Sequence, residues 1–417
     1  MSVYDQWHKS RPKPGESKCK CRPAKVPTAA HGKGMRWQVR WRDEAGKEQK
    51  LNFENKPAAE SKDAQIKASL DRGDYIDPKA GKVTLKVYGQ RWRDTLTSPD
   101  PSTLMQIDSR LGKWVFGRKI SEHTLSALAK TPRLLQAWIR EMQDGGLEAS
   151  TIRGIVMWVS TIFNAAVDDG LIARNPLLVK SVKPPKVVSK DVVPWTLGTV
   201  LAVADGLPSR YAEMTYLGAG CGHRQGELFA IAVDDIDFLQ RVVHVRRQVR
   251  IINGELVFSL PKRDKTRTVP LPDAIGMRLS AHIQQHKPVR VTLPWRTPAG
   301  DPHTAELLFT TEDGRALNRN DFNRLWRSSR VVAGVPATRE NGMHVLRHTA
   351  ASAWLAEGVD IRTVAEYLGH DDPGFTLRVY SHLMPNAAER ARKAMNAFFE
   401  GVADVSCALD VPSGHSV

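Results

Sequence analysis

The first regular pattern of apolar and polar positions along the chain is an alternation that starts at Arg36. Because side chains alternate between the two faces of a strand, this pattern predicts one apolar and one polar face. The apolar face consists of Trp37, Val39 and Trp41. The polar face consists of Arg36, Gln38, Arg40 and Arg42. A second strand ends at Phe53, and Pro57 then opens a helix. Residues 34–80 are therefore predicted to form a small sheet packed on a helix.

Helical spacing replaces this alternation further along the chain. Apolar side chains recur at intervals of three and four residues in segments that start near Thr84 and Leu134, and Ser150 is a suitable N-cap for a third helix. Residues 83–179 are therefore predicted to form a helical bundle. The next stretch, residues 180–195, combines lysines with prolines, a composition typical of an extended linker.

The following part, residues 196–401, contains a strong hairpin signal at Asn253-Gly254, which stands between two apolar strands. A third strand is predicted from Thr268 to Leu271, and helical spacing dominates the rest. This unit should therefore be mainly helical with one small antiparallel sheet. The predicted fold class of the whole chain is α+β, mainly α.

The composition narrows the class of partner. The chain has 417 residues and a formal net charge of +16, which indicates a polyanionic partner. Nucleic acid is favoured over a membrane surface, because no stretch approaches the roughly 20 apolar residues of a spanning helix. Residues 1–33 are rich in Lys, Pro and Ser without periodicity, so a basic flexible arm is predicted there. Residues 402–417 are predicted to be a C-terminal tail.

The four cysteines are too scattered for a disulfide framework, which fits a reducing cytoplasm. Cys19 and Cys21 could form half of a zinc site together with His31. Their spacing matches no standard zinc-binding pattern, so a solvated tail is favoured over a metal site. We therefore predict that the protein uses no metal and no other cofactor.

The candidate chemistry is concentrated in residues 196–401. In sequence order, the candidate residues are Arg224, Glu227, Lys262, His344, Arg347, His370 and Tyr380. Two guanidinium groups can hold the non-bridging oxygens of a phosphate, and a tyrosine hydroxyl can attack its phosphorus atom. His344 and Arg347 are three residues apart, so they would share one face of a helix. This set suits cleavage of a phosphodiester without a metal ion.

Each candidate also has a plain structural interpretation. Arg224 and Glu227 could be an ordinary surface pair on a helix, and Tyr380 could be a packed aromatic side chain. Lys262 could lie in a solvated turn, and Lys265 competes with it for the same role. The polar face of the N-terminal sheet could be no more than a solvated surface.

In this order and at these spacings, the motifs resemble those of the tyrosine recombinases, and in particular the phage-type integrases. The resemblance covers nearly the whole chain, from Arg36 to about Phe399. It implies that residues 34–80 are an arm-type DNA-binding domain with three strands and a helix. It further implies that residues 83–179 are a helical core-binding domain and residues 196–401 a catalytic domain.

The resemblance also implies roles for the candidate residues. The side chains that stabilise charge on the phosphate would be Arg224, Arg347 and His370. Tyr380 would be the nucleophile, Lys262 would protonate the leaving 5′ oxygen, and His344 would help to move the tyrosine proton. Glu227 would hold its neighbours in place. His348 is interpreted as a structural neighbour.

The implied activity is site-specific recombination that integrates or excises a phage or mobile element in the cytoplasm of a bacterial host. The implied partners are double-stranded DNA at core and arm attachment sites, three further copies of the chain in a homotetramer, and possible DNA-bending and excision factors, with no membrane. The polar face of the N-terminal strand would contact base edges of the arm sites. A type IB topoisomerase-like enzyme, a catalytically silent DNA-binding regulator and a chromosome-dimer resolvase are the alternatives.

Overall fold

A computed structural model describes most of the chain: residues 2–42, 46–72, 75, 77, 80–97, 99–187, 192–383 and 391–399. The chain forms two compact units, residues 1–188 and residues 189–417. The division falls inside the stretch that the sequence predicts as a linker. The predicted tail, residues 402–417, lies outside the described residues.

Ten strands form four small antiparallel sheets in the part of the chain that the structure describes. The strands are β1 (Ser2–Asp5), β2 (Trp37–Arg42), β3 (Glu48–Phe53), β4 (Ile236–Asp237), β5 (Val242–Val245), β6 (Gln248–Ile252), β7 (Glu255–Ser259), β8 (Arg267–Pro270), β9 (Val289–Pro294) and β10 (Pro302–Leu307). The sheet of the first unit has the order β1-β2-β3, and the second unit contains the sheets β4-β5-β8, β6-β7 and β9-β10.

The α-helices of the first unit are α1 (Lys56–Asp71), α2 (Leu85–Asp94), α3 (Pro101–Leu111), α4 (Leu125–Lys130), α5 (Arg133–Asp144) and α6 (Ala149–Asp168). Those of the second unit are α7 (Leu197–Asp205), α8 (Ser209–Cys221), α9 (Gln225–Leu228), α10 (Asp273–Gln285), α11 (Arg319–Val332), α12 (His344–Ala356), α13 (Ile361–Leu368) and α14 (Pro373–Tyr380). Residues 391–399 are also helical. These elements confirm the predicted α+β class, which is mainly helical with an N-terminal three-stranded sheet.

The sheet of the first unit has the predicted alternation. Val39 and Trp41 of β2 are buried against Ala59 and Ile66 of α1. The helix begins where the sequence indicates, with the side chain of Asn55 accepting a hydrogen bond from a main-chain N–H of its first turn. The apolar face of the sheet and one face of the helix therefore form a small core of their own.

The structure differs from the prediction of a flexible arm over residues 1–33. Ser2–Asp5 forms β1, which pairs antiparallel with β2 and places Val3 opposite Val39. Four residues are too few for a periodicity to be recognised in the sequence, and β2 provides the hydrogen-bonding partner that stabilises the strand. The third strand of this sheet therefore comes from the start of the chain.

The bundle of the first unit follows the predicted helical spacing, with one shifted boundary. The N-cap of α6 is Glu148, and Ser150 lies inside the first turn rather than before it. Among the described residues, α6 is the one helix that is long and apolar enough to cross a membrane by length and composition. No such stretch was predicted from the sequence. Seven residues of α6 are buried in the bundle core: Ile152, Ile155, Val156, Val159, Ile162, Phe163 and Ala166. Its apolar composition is what a central core helix requires.

The sheets of the second unit correct the prediction of a single one. Asn253-Gly254 connects β6 and β7 in a hairpin as predicted, but β8 pairs with β5 instead of joining that hairpin. This pairing places Val243 opposite Val269, and both side chains are fully buried in the main core. Burial of their apolar surface favours the observed partner.

Two packing layers of the second unit position the candidate site. Leu217 of α8 and Leu346 of α12 lie in the main core, where these two helices pack against each other. A separate small core joins α12, α13 and α14, and Tyr380 is one of its buried members. The ends of these helices therefore converge around the tyrosine.

Candidate active site

Arg224 follows the end of α8 and is held by the glutamate of the next helical turn. Its Nη1 donates to Oε1 of Glu227 at 2.9 Å, and its main-chain N–H donates to Oε2 at 2.8 Å. Nη2 donates to the carbonyl oxygen of Gly369 at 3.2 Å. The Arg224 side chain remains 20% exposed, whereas that of Glu227 is 1% exposed. The predicted pair is therefore present, with the arginine facing outwards and the glutamate inwards.

Glu227 has a second partner, Arg267, to which the sequence motifs assigned no role. Arg267 of β8 donates from Nη1 to Oε1 at 2.9 Å and from Nη2 to Oε2 at 2.6 Å. Burial raises the pKa of Glu227, but the charges and hydrogen bonds of Arg267 and the charge of Arg224 outweigh it and hold the pKa far below its usual range. Nε of Arg267 also donates to the carbonyl of Tyr367 at 2.7 Å. Glu227 is thus a fixed anion that ties β8 and α13 to Arg224.

Two glycines direct main-chain carbonyls at the two candidate arginines. Gly222 ends α8 with φ 65° and Gly369 ends α13 with φ 61°, a left-handed conformation that favours glycine. The carbonyl of Gly222 accepts from Nη1 of Arg347 at 2.8 Å, as that of Gly369 accepts from Arg224. A Cβ atom on Gly369 would lie 3.2 Å from Cδ of Arg267. The ends of both helices therefore position the arginines.

Arg347 lies on α12 and is almost fully buried, with 1% exposed. Besides its bond to Gly222, it donates from Nη2 to the carbonyl of Leu368. Burial lowers its pKa, and the charge of Arg224 acts in the same direction. A guanidinium has five N–H donors, so it can hold these carbonyls and still bind an anion.

Three histidines surround the arginines and are held in the neutral form. Burial lowers the pKa of His344 to about 3, and the neighbouring His348 adds to the shift. Burial, followed by the charge of Arg347, lowers the pKa of His370 to about 3 as well. Nδ1 of His370 lies 2.8 Å from Oγ1 of Thr376 on α14. Each of these imidazoles can therefore both donate and accept a hydrogen bond at neutral pH.

Tyr380 ends α14, and its hydroxyl lies 2.7 Å from Nδ1 of His348. Burial raises the pKa of Tyr380 to about 12, although the charges of Arg347 and Arg224 act against the shift. Burial, with a contribution from Arg347, lowers the pKa of His348 to about 4, so its neutral ring can accept the phenol proton. The interpretation of His348 as a structural neighbour therefore missed a direct contact with the candidate nucleophile. Its spacing of four residues from His344, which places both rings on one helix face, was the available signal.

Lys262 lies in a tight turn between β7 and β8. Arg263 and Asp264 both have left-handed backbones there, with φ 64° and 57°. Arg263 and Lys265 form ion pairs with Asp371, the latter at 2.6 Å, and Asp371 directly follows His370. Lys262 is exposed, and within the described part of the chain it has no hydrogen-bond or ion-pair partner.

The four polar residues predicted to contact DNA in the first unit have different surroundings. Arg36 donates from Nη2 to Oδ2 of Asp5 at 2.8 Å. Gln38 is buried and donates to Asn52 at 2.8 Å. Arg40 and Arg42 are exposed, and Arg40 lies over the ring of Tyr4 on β1 with 5.2 Å to the ring centroid. The polar face therefore exposes two of the four predicted side chains.

Comparisons with known proteins indicate the class of protein. Residues 194–387, which include every candidate residue of the second unit, match the model of the phage integrase family. A tyrosine recombinase XerC-like protein of Caldanaerobacter subterraneus is 25% identical over 381 residues, which cover 86% of this chain and 94% of the relative. Tyrosine recombinase XerC 1 of Ralstonia nicotianae is 28% identical and covers 70% of this chain and 92% of its own length.

Two solved structures share the fold. The integrase of transposon Tn1549, solved in complex with transposon right end DNA, has a TM-score of 0.63 at 18% identity and covers 75% of this chain and 99% of its own. The lambda integrase dimer bound to a COC′ core site has a TM-score of 0.52 at 16% identity and covers 82% and 91%.

The domain match and the tyrosine recombinase relatives identify a site-specific recombinase, an enzyme that cleaves and rejoins DNA strands. The chain is similar to tyrosine recombinases over most of its length, and its residues 194–387 are a domain of the phage integrase family.

Proposed function

We propose that this recombinase integrates and excises a phage or other mobile element through a 3′-phosphotyrosyl intermediate on Tyr380. The observation that carries the proposal is the 2.7 Å contact between the Tyr380 hydroxyl and Nδ1 of His348. A phenol with a pKa of about 12 is a weak nucleophile at neutral pH, so it requires a base within hydrogen-bonding distance. His348 lies within this distance, and the negative charge of a bound phosphate would counter the burial and the Arg347 charge that lower its pKa.

The cleavage step balances with the residues of this chain. Oη of Tyr380 forms a bond to the phosphorus atom, and the bond from phosphorus to the 5′ oxygen breaks. The phenol proton passes to His348, with the ring of His344 at a centroid distance of 4.6 Å beside it. Lys262 gives a proton to the departing 5′ oxygen. In the reverse step, a 5′ hydroxyl from a partner duplex gives its proton to Lys262 and attacks the phosphorus atom. The bond from phosphorus to Oη of Tyr380 breaks, and His348 returns its proton to the phenol.

The second requirement is that the negative charge on the transferred phosphate is stabilised. Phosphoryl transfer places charge on the non-bridging oxygens, so fixed positive groups and N–H donors lower the barrier. We assign this role to Arg224, Arg347 and His370. Glu227 keeps Arg224 in place, and Arg267 keeps Glu227 charged and immobile. Arg267 is therefore proposed as a positioning residue.

The proposed assembly is a homotetramer on core and arm attachment sites, working at the chromosome in the cytoplasm of a bacterial host. One solved lambda integrase structure is a tetramer bound to a Holliday junction, and the Tn1549 integrase was solved with circular intermediate DNA. An exchange of strands between two duplexes requires four cleavages, which four copies of one active site would provide. DNA-bending and excision factors are further proposed partners.

Two other functions would use the same scaffold. A type IB topoisomerase-like enzyme would form the covalent link on a single duplex without exchanging strands between two. A catalytically silent regulator would bind DNA and form no covalent link. The N-terminal sheet, a separate small core with exposed arginines, favours a recombinase with a second DNA site.

The test is a nicked suicide substrate that traps the phosphotyrosyl adduct. The wild-type chain should accumulate the adduct, and Tyr380→Phe should bind the same DNA but form none. Tyr367→Phe is the matched control, because Tyr367 contacts the site only through its main-chain carbonyl. An adduct of normal yield in Tyr380→Phe would overturn the assignment, and no adduct with the wild-type chain would favour the silent regulator.

A further inference from the structure

Four side chains with metal-binding atoms converge next to the sheet of the first unit. They are His8, Cys19, Cys21 and His31, and one ligand atom from each lies within 4.8 Å of all the others. Nε2 of His31 lies 3.1 Å from Sγ of Cys19 and 3.2 Å from Sγ of Cys21. The two sulfur atoms are 2.9 Å apart, and both cysteines are free thiols.

The main chain brings these side chains together by pairing the two sides of a loop. The N–H of Lys9 donates to the carbonyl of Val26 at 2.8 Å, and the N–H of Thr28 donates to the carbonyl of Trp7 at 2.9 Å. The N–H of Cys19 donates to the carbonyl of Lys25 at 2.7 Å. The loop therefore folds back on the segment after β1 and places both cysteines beside His8.

The orientation of His8 is fixed by a carboxylate. Its Nδ1 lies 3.0 Å from Oδ2 of Asp5, and Arg36 donates to both oxygens of the same carboxylate. Nδ1 of His8 also lies 3.2 Å from Nη2 of Arg36, but the tautomer that donates to the Asp5 carboxylate carries its proton on Nδ1. Nε2 is then unprotonated and lies 3.4 Å from Sγ of Cys21. A histidine that binds a metal through one nitrogen and a carboxylate through the other is a common arrangement at metal sites.

We propose that His8, Cys19, Cys21 and His31 bind a structural zinc ion. Two thiolates and two imidazoles are a donor set that Zn²⁺ prefers. Zinc–sulfur bonds of about 2.3 Å and zinc–nitrogen bonds of about 2.0–2.1 Å in a tetrahedron separate the ligand atoms by roughly 3.3–3.8 Å. The separations here, from 2.9 Å to at most 4.8 Å, bracket that range.

The proposed site departs from the sequence-based prediction of no metal. Cys19, Cys21 and His31 have no standard spacing, and the fourth ligand, His8, precedes them and becomes visible only when β1 pairs with β2. The buried core of the sheet is small, with Val39, Trp41, Ala59 and Ile66 as its buried members. A metal that joins the segment after β1 to the following loop would stabilise such a small unit.

The test uses the full-length chain, purified under reducing conditions with zinc in the growth medium. We expect a single zinc ion per chain by elemental mass spectrometry. Cys19→Ser and Cys21→Ser should lower the zinc content to background, and Cys407→Ser is the matched control that should leave it unchanged. Exchange into Co²⁺ should produce thiolate-to-cobalt charge-transfer bands and the visible bands of tetrahedral cobalt.

A second variant separates binding from folding. Asp5→Asn keeps all four ligands but weakens the acceptor for His8, so zinc affinity should fall about 10- to 100-fold in competition with a chelator. Zinc should also protect Cys19 and Cys21 from alkylation, and a chelator should remove the protection. A wild-type chain that contains no zinc and gives no cobalt bands would overturn the proposal. So would a disulfide between Cys19 and Cys21 under reducing conditions.

Discussion

Lys262 and Lys265 belong to the same turn but have different surroundings. Lys265 forms a 2.6 Å ion pair with Asp371, whereas Lys262 is exposed and has no partner among the described residues. An ammonium group engaged by a carboxylate is a poorer proton donor at a second site than one that is free to move. The structure therefore favours Lys262 as the general acid.

Lys262→Ala should slow cleavage by about 10²- to 10⁴-fold, because a positioned acid contributes a factor of this size. A substrate with sulfur in place of the bridging 5′ oxygen should restore the rate, since a thiolate leaves without protonation. Single-turnover cleavage of both substrates measures this, with Lys265→Ala as the matched control. If sulfur rescued Lys265→Ala and left Lys262→Ala slow, the acid would be Lys265.

The buried histidines also predict how stability depends on pH. In the folded chain, four buried histidines have pKa values of about 3 or 4, below the ordinary histidine pKa of 6.5. They are His223, His344, His348 and His370. Between pH 6.5 and about 4, the unfolded chain binds these protons and the folded chain does not. Stability should therefore be fully present above 6.5 and fall as the pH is lowered, by up to roughly 1.4 kcal/mol per pH unit for each histidine.

Glu227 also loses its stabilising contribution in acid, but only below its ordinary pKa of 4.5, so between pH 6.5 and 4.5 the loss comes from the histidines and not from Glu227. Urea unfolding of the second unit at a series of pH values measures the slope. His348→Gln should reduce it, and His303→Gln, outside the site, should not. A stability that stayed constant or rose as the pH fell from 6.5 to about 4.5 would contradict the prediction.

At the scale of single residues, the sequence motifs predicted the side chains that the structure brings together. Arg224, Glu227, Arg347, His370 and Tyr380 all meet around the ends of α8, α12, α13 and α14. The contact of Arg267 with Glu227 could not be predicted in the same way. The spacing of His348 from His344 indicated a shared helix face but not the contact with Tyr380. Arg267 reaches Glu227 across 40 positions of sequence and His348 reaches Tyr380 across 32, so both contacts depend on how the helices and strands pack.

At the scale of an element, strand β2 also has a contact with a distant segment that its own sequence pattern could not predict. Its period-two pattern predicted which side chains would be buried, and Val39 and Trp41 are. The pattern could not show that Gln38 on the polar face is covered, because its partner Asn52 comes from β3. The exposed part of this face is formed by Arg40 and Arg42, with Lys50 opposite Arg40 in the register.

Arg40→Ala and Arg42→Ala should each weaken binding to arm-type flanking DNA, by about 1–3 kcal/mol where the side chain reads a base edge. A side chain that contacts a phosphate should instead lower the salt dependence by about one charge. Fluorescence anisotropy with flank and core duplexes at several salt concentrations separates the two cases. Lys62→Ala, on helix α1, is the matched control. Equal losses on core and flank DNA would argue against a dedicated arm surface.

At the scale of the whole molecule, the helix over residues 391–399 forms an apolar surface that follows the proposed nucleophile in the chain. Met395, Phe398 and Phe399 are 51%, 66% and 61% exposed, which is unusual for large apolar side chains on a surface helix. We expect this segment to dock on a neighbouring copy of the chain in the proposed tetramer. Burying each phenylalanine there would contribute about 1.5–3 kcal/mol.

Deletion after Asn396 should therefore weaken tetramer formation on DNA more than it weakens DNA binding. Sedimentation of synaptic complexes and titration of a single core site measure the two quantities separately. Leu239→Ser removes an exposed apolar side chain from another surface and serves as the control. Synaptic complexes at wild-type levels after the deletion would contradict the docking role.

The pairing of strands between distant segments could not be predicted from composition and spacing. Residues 2–5 and 37–42 form one sheet, although no local pattern links them. Pairing of this kind depends on the tertiary environment, because a short strand has little preference of its own.

The burial of Tyr380 has a consequence for how accurately the enzyme selects the DNA sites that it cleaves. With 1% of this residue exposed, a phosphodiester cannot reach the hydroxyl until α14 or its covering neighbours shift. Most of the DNA that such an enzyme encounters in a cell is the wrong DNA. A duplex that binds but does not stabilise the shifted arrangement would dissociate uncut, so the selection of sites would act twice, once on binding and once on uncovering the nucleophile. Errors of insertion would then depend on the product of two discriminations rather than on affinity alone.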